Sequence, residues 1–301
     1  MSRMSYRFRL KEPIPKGIRR IGREQLSTAI KALSDSEDIH RAIHKTRKRI
    51  KCLRSLLHLI RSGLEKPVYS TENKSYRDIG RQLSGARDAQ AMLETLMKLD
   101  ARAGNYPEKL NTAPIRTWLY DRHREAEQRL TKDSLTDVLA QLQERKKRFT
   151  RLSLKQIVFP VIAEGVKATY KNGRTAFSRA VATHDGEQFH EWRKDAQRHW
   201  RQMQLVRPCW PQMMDMRAKQ AHELSQFLGD DHDLEVFGVM LKKHGSLFEE
   251  KVDLELLQRH RKEAQEELRG SSITYGQLLY VEKPRHFQQR LSSCWKASVG
   301  S

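Results

Sequence analysis

The chain lacks most of the features that announce a chemistry. Its three cysteines, Cys52, Cys209 and Cys294, are odd in number and widely spaced. That argues against a disulfide framework and excludes a CxxC zinc site. No run of about 18 apolar residues occurs, so no membrane-spanning helix is expected. The N-terminal MSRMSYRFRLKEPIPKG is basic without an apolar core, unlike a secretory leader. Glycine (15) and proline (9) are sparse for 301 residues, which favours helices over a β-sandwich. No GxSxG, P-loop or dinucleotide fingerprint is present, and nothing marks a catalytic carboxylate pair. Zinc-finger, RNP and clear helix-turn-helix signatures are missing as well. The expectation is a cytoplasmic protein with no cofactor and no catalytic residues.

Acid is also short. Asp and Glu number 37 against 58 Lys and Arg, a formal net charge of +21. Such a charge attracts polyanions: nucleic acid, anionic membrane or polymeric phosphate. Apolar residues still recur throughout, so this is no disordered basic tail.

Turn signals divide the chain into helical pieces. They predict helices near 16–33, 37–62, 73–99 (bent near Ser84–Gly85), 115–130 and 134–149. A second series follows near 154–183, 187–207, 212–228, 230–243, 247–268 and 285–295. SDSED supplies cap chemistry for the second piece, and Asp230 and Asp231 read as N-caps after Gly229. Two motifs recur. His44-x-x-Arg47-Lys48 is matched by His190-x-x-Arg193-Lys194, 146 residues on. LSGARDA (83–89) is matched by LGDDHDL (228–234), with Asp88 and Asp233 offset by 145. Two elements at nearly one offset point to an internal duplication into half-domains, about 5–150 and 151–295, within a single domain over 5–295.

At 100° per residue, His40, His44, Arg47, Lys48, Lys51, Arg54 and His58 share an arc of about 120°. Ile39, Ile43, Ile50, Leu53, Leu57 and Ile60 lie opposite. In the second motif His190, Arg193, Lys194, Gln197, Arg198 and Arg201 share one face, and Phe189, Trp192, Ala196, Trp200 and Met203 the other. Surface helices usually mix signs, because like charges at i,i+4 cost a few tenths of a kcal/mol. These arcs carry cations only, so a ligand is expected to supply the anions. Trp and Tyr read as core, leaving no base-stacking platform. His40 and His44 have metal-ligand spacing. Yet there is no HExxH glutamate, cations crowd the imidazoles, and Gly186 stands where the second motif would need a histidine. No metal site is expected.

These residues resemble the CHAD family, the conserved histidine α-helical domain. The resemblance rests on the paired His-x-x-Arg-Lys helices and the Arg87–Asp88 and His232–Asp233 pairs, and it covers about 5–295. It implies an all-α fold of two four-helix bundles related by a pseudo-twofold axis around a basic central groove or pore. It also implies binding of inorganic polyphosphate and association with polyphosphate granules. The ExExK signature of an appended CYTH domain is absent, as in a stand-alone member.

The family pattern maps onto His44, Arg47, Lys48 and Lys51, with Arg54 on the same face. In the second half it maps onto His190, Arg193, Lys194, Arg198 and Arg201. Arg19, Arg23 and Arg174 are further candidate contacts, and Arg87, Asp88 and Asp233 are supporting groups. Gln197 stands opposite Lys51, and Ser84 where the first LG turn would have glycine. Three other readings remain: non-specific nucleic-acid binding, an enzyme acting on phosphoanhydrides with His44 or His190 as proton donor, and a helical module for an acidic protein.

Overall fold

The computed structural model describes residues 6–103, 110–129 and 131–300. Among them eleven α-helices and no strand are found. They are α1 Ile14–Ser34, α2 Ile39–Leu59, α3 Lys66–Gln82, α4 Gly85–Ala103, α5 Ala113–Gln128, α6 Lys132–Arg151, α7 Phe159–Thr183, α8 Gly186–Val206, α9 Pro211–His244, α10 Leu254–Leu279 and α11 Pro284–Val299. Proline explains many of the starts. It occupies the first turn of α1, α3, α5, α7, α9 and α11, where its missing N–H costs no helical bond. SDSED does supply the cap of α2, at Asp38, whose carboxylate accepts from the Arg41 amide at 3.0 Å, so the helix starts at Ile39 rather than at 37.

Several boundaries differ from expectation: α3 starts at Lys66 rather than 73, α7 at Phe159 rather than 154, and α10 runs over Leu254–Leu279 rather than 247–268. Two differences change the number of helices. The piece over 73–99 is two helices, because the chain breaks at Leu83–Ser84 and α4 starts afresh at Gly85. The pieces over 212–228 and 230–243 are one 34-residue helix, α9, which runs through Gly229. Asp230 and Asp231 are therefore mid-helix groups and cap nothing. Asp231 is buried and accepts from Arg269 Nε of α10 at 2.7 Å. Asp230 accepts from Lys98 of α4 at 2.7 Å. Tertiary ion pairs thus carry the helix through a sequence that would favour a turn in isolation.

The main core is one continuous cluster. It joins Ile18, Ile21 and Leu26 of α1, Ile50, Leu53 and Leu57 of α2 and Phe149 of α6 to Ile162 and Val166 of α7, Trp192 and Met203 of α8, Leu224 of α9 and Phe287 of α11. A smaller core forms where α4 and α5 lean on α9 and α10, around Leu96, Ile115, Phe237 and Leu257. The N-terminal segment fastens α2 to α8. The Phe8 amide donates to the Leu205 carbonyl at 2.9 Å, and Tyr6 Oη donates to the Cys52 carbonyl at 2.8 Å.

α7 approaches the end of α2 closely at Gly165. A Cβ there would stand 1.9 Å from the Leu59 carbonyl oxygen, a backbone atom that cannot rotate away. Gly165→Ala is expected to force α2 and α7 apart and cost about 3 kcal/mol. Thermal melting checks this, with Gly85→Ala as the matched control, since a Cβ there meets nothing within 4 Å.

Candidate polyanion-binding site

Four helices enclose a cavity of about 480 Å³. α2 contributes His44, Arg47, Lys48 and Lys51; α4 contributes Asp88 and Ala91; α8 contributes Arg193, Trp200 and Arg201; α9 contributes His222, His232 and Asp233. Five Lys or Arg and three His therefore face two Asp, so the wall is positive even with every histidine neutral. Both basic helices reach it because each buries its apolar stripe in the same core. Ser55 of α2 donates to the Arg198 carbonyl of α8 at 3.3 Å, which marks how closely the two helices pass.

Within this wall two of the arginines are braced by backbone carbonyls. Arg47 Nη1 donates to the Gly80 carbonyl at 2.6 Å. Arg201, only 6% exposed, donates to the Gln197 carbonyl at 2.8 Å and lies 4.5 Å over the Trp200 ring. Arg193 packs against Gly229 of α9, where a Cβ would come within 3.7 Å of its Nε. That Nε is buried and has no hydrogen-bond partner. Burial pulls the Arg193 pKa down, with Arg201 adding to the fall, while Asp233 foremost, with Asp230 and Asp231, opposes it. Three imidazoles at or beside the wall are shifted below their ordinary range. Burial, then Arg193, His190 and Lys194, takes His232 down to about 4. Burial, then Arg201 and Lys48, lowers His222. His190 is lowered by burial, then Lys194 and Arg193, and its ring lies 4.1 Å from His232.

Of the residues proposed from sequence, His44, Arg47, Lys48, Lys51, Arg193, Arg201, Asp88 and Asp233 meet at this cavity, and His190 abuts it through His232. The others lie elsewhere. Lys194 pairs with Glu191, and Arg198 pairs with Asp195 at 2.6 Å. Arg54 donates to Asn73 Oδ1 at 3.1 Å, in a group with Arg198, Arg77 and Arg81 that does not line the cavity. Arg19 donates to the Thr150 and Leu152 carbonyls at 3.3 and 3.0 Å. Arg23 is exposed and Arg174 donates to the Glu282 carbonyl at 3.4 Å; neither lines the cavity. The Arg87 side chain is outside the described residues. Sequence reading missed His222, gave His232 no place among the site residues, and missed the partial exposure of Trp200, whose ring lies 4.0 Å from His222. His222 carried no signal beyond being a histidine. Trp200 fell on the apolar arc but at its edge.

These features define an all-helical protein with a cationic, histidine-containing cavity. A CHAD domain family model matches residues 20–242, and the chain belongs to the CHAD family. Among solved structures it is similar to the CHAD domain of the plant Ricinus communis, with a TM-score of 0.59 and 18% identity over 92% of this chain and 93% of that one, a likeness of fold. No curated protein matches. No helix among the described residues is long and apolar enough to cross a membrane.

The buried imidazoles set an acid limit on the fold. His199 has no partner for either ring nitrogen and is pushed down to about 3 by burial, then Arg217. His58 is lowered to about 4 by burial, then Arg198, Arg61 and Arg54. Free histidine titrates near 6.5. The unfolded chain therefore takes up these protons first. The contribution of both groups to stability is complete above about 6.5 and is lost as pH falls, toward about 4 for His58 and about 3 for His199. Urea midpoints measured from pH 7.5 to 4.5 should decline, and His199→Phe, seated between Tyr170 and Phe287, should flatten the decline.

Proposed function

We propose that the chain binds inorganic polyphosphate in the cavity between α2, α4, α8 and α9, without catalysis, and that this binding directs it to polyphosphate granules. One observation carries the reading: cations from two helices far apart in sequence converge on one wall where Arg193 Nε is buried without a partner. A buried donor without an acceptor costs stability that an anionic oxygen would recover. Arg offers forked donors to phosphate oxygens and Lys a mobile point charge, which suits a ligand with charge on each unit and no base to read. Nucleic acid answers the charge less well, since the Trp200 ring already meets Arg201 and His222. Internal duplication around this basic groove belongs to the same reading. Its support is that α2 and α8 are both 21 residues long, each followed by one 3₁₀ turn.

Lys48→Glu/Lys51→Glu reverses two exposed cavity-lining charges without touching the core. Calorimetry with medium-chain polyphosphate should show affinity falling by more than about tenfold, and log K against log salt losing about one unit of slope per contact. Unchanged affinity in the folded double variant would refute the site. In the same assay, polyphosphate should displace bound single-stranded DNA at near-stoichiometric amounts, and no phosphate should be released.

Binding should also respond to pH. His222 and His232 are held below their ordinary range in the free protein, and a bound polyanion favours their charged forms. Binding then takes up protons, so affinity rises as pH falls below 7, until His232 is charged in the free protein near 4. His222→Gln/His232→Gln should remove most of that rise.

A further inference from the structure

At the start of α2 and the end of α5 a second cluster of side chains meets, outside the polyanion cavity. His40 Nε2 lies 2.7 Å from Glu127 Oε1, and His123 Nδ1 lies 3.1 Å from the same oxygen. One ligand atom from each residue falls within a 4.8 Å sphere of separations. We propose that His40, His123 and Glu127 form a binding site for a divalent transition-metal ion of the zinc class, which ties α5 to α2.

Two imidazole nitrogens and a carboxylate oxygen are the donor set that such ions take. Zinc with bonds of about 2.0–2.1 Å to tetrahedral ligands needs donor atoms roughly 3.3 Å apart. The two His–Glu separations are 2.7 and 3.1 Å, and the two imidazole donors lie within 4.8 Å of each other. The α5 spacing His-x-x-x-Glu puts both its donors on one helix face. The third comes from a helix 83 residues earlier in the chain, as the positions of His40 and His123 show. Three protein donors leave a fourth position open to water or another ligand. His40 and Glu127 are 47% and 32% exposed, so an ion has access.

The surrounding charge permits it. Arg124 is turned to Asp121 at 2.8 Å, and Arg122 pairs with Glu125 at 3.6 Å and covers the Trp118 ring. Arg41 and Lys45 line a different hollow, shared with Lys31 and Asp35 of α1. The site lies at the carbonyl end of α5, where the helix dipole favours a cation. The amide end of α2 opposes one, but Asp38 caps it with a carboxylate. The crowding of His40 by cations, inferred from its own helix alone, is thus relieved by α5.

The test is zinc titration of the full chain, made without a polyhistidine tag, by calorimetry and by the visible absorption of bound cobalt(II). The wild type should take up one ion per chain and melt at a higher temperature with zinc. His123→Ala and Glu127→Gln should each weaken uptake by at least about tenfold. His286→Gln, on α11, should leave it unchanged. Circular dichroism confirms that each variant remains helical. Absence of saturable uptake by the wild type, or uptake that both His123→Ala and Glu127→Gln retain, would overturn the proposal.

Discussion

Everything in this molecule depends on packing two like-charged helices against one core. α2 and α8 must approach closely to bury Leu53, Leu57, Trp192 and Met203, all fully enclosed. Each such side chain contributes roughly 1.5–3 kcal/mol on burial. Two unlike-signed charges, or two like ones, at 4 Å in water interact by only about 1 kcal/mol. Burial therefore wins, and the cations on the outer faces must accept each other as neighbours. The cavity is where that repulsion collects. It is the consequence of a hydrophobic solution to folding, kept tolerable by solvent, by Asp88 and Asp233 on the wall, and by the lowered pKa of His222 and His232.

The same compromise explains why the wall is shaped for anions. Arg47 and Arg201 each give one donor to a backbone carbonyl, a neutral acceptor that fixes a guanidinium without itself cancelling the charge. Had carboxylates done this, as Glu191 and Asp195 do for Lys194 and Arg198, the charge would have been cancelled at its source. Bracing by carbonyls preserves field, and bracing by carboxylates removes it. That distinction separates Arg47 and Arg201 from Lys194 and Arg198.

How far this was legible in the sequence follows from which forces are local. The helical class, the buried stripes of α2 and α8, and the presence of a cap within SDSED were legible because period and cap chemistry are written in consecutive residues. The run through Gly229 was not. Gly-Asp-Asp favours a turn locally, and α9 continues only because Asp231 meets Arg269 and Asp230 meets Lys98 across the fold. The cationic face on α8 was read too widely for a related reason. Glu191 and Asp195 lie three residues before Lys194 and Arg198, so the quenching was present in the sequence. An arc defined by cations alone passed over it. His222 shows the opposite case, a wall residue whose role comes from the crossing of α8 and α9.

The break at Leu83–Ser84 has the largest architectural effect. Where α9 continues unbroken, the chain after α3 turns and sends α4 and α5 across to the later helices, building the smaller core around Leu96, Ile115, Phe237 and Leu257. This detour carries Asp88 and Ala91 to the cavity wall, so the fourth side of the site is made by the early part of the chain leaning on the late part. It also swings the end of α5 back to the start of α2, where His123 and Glu127 meet His40. A continuous helix in place of α3 and α4 would keep both basic faces and lose both junctions. The asymmetry between the two parts of the chain is therefore what closes the cavity and creates the second cluster of ligating side chains.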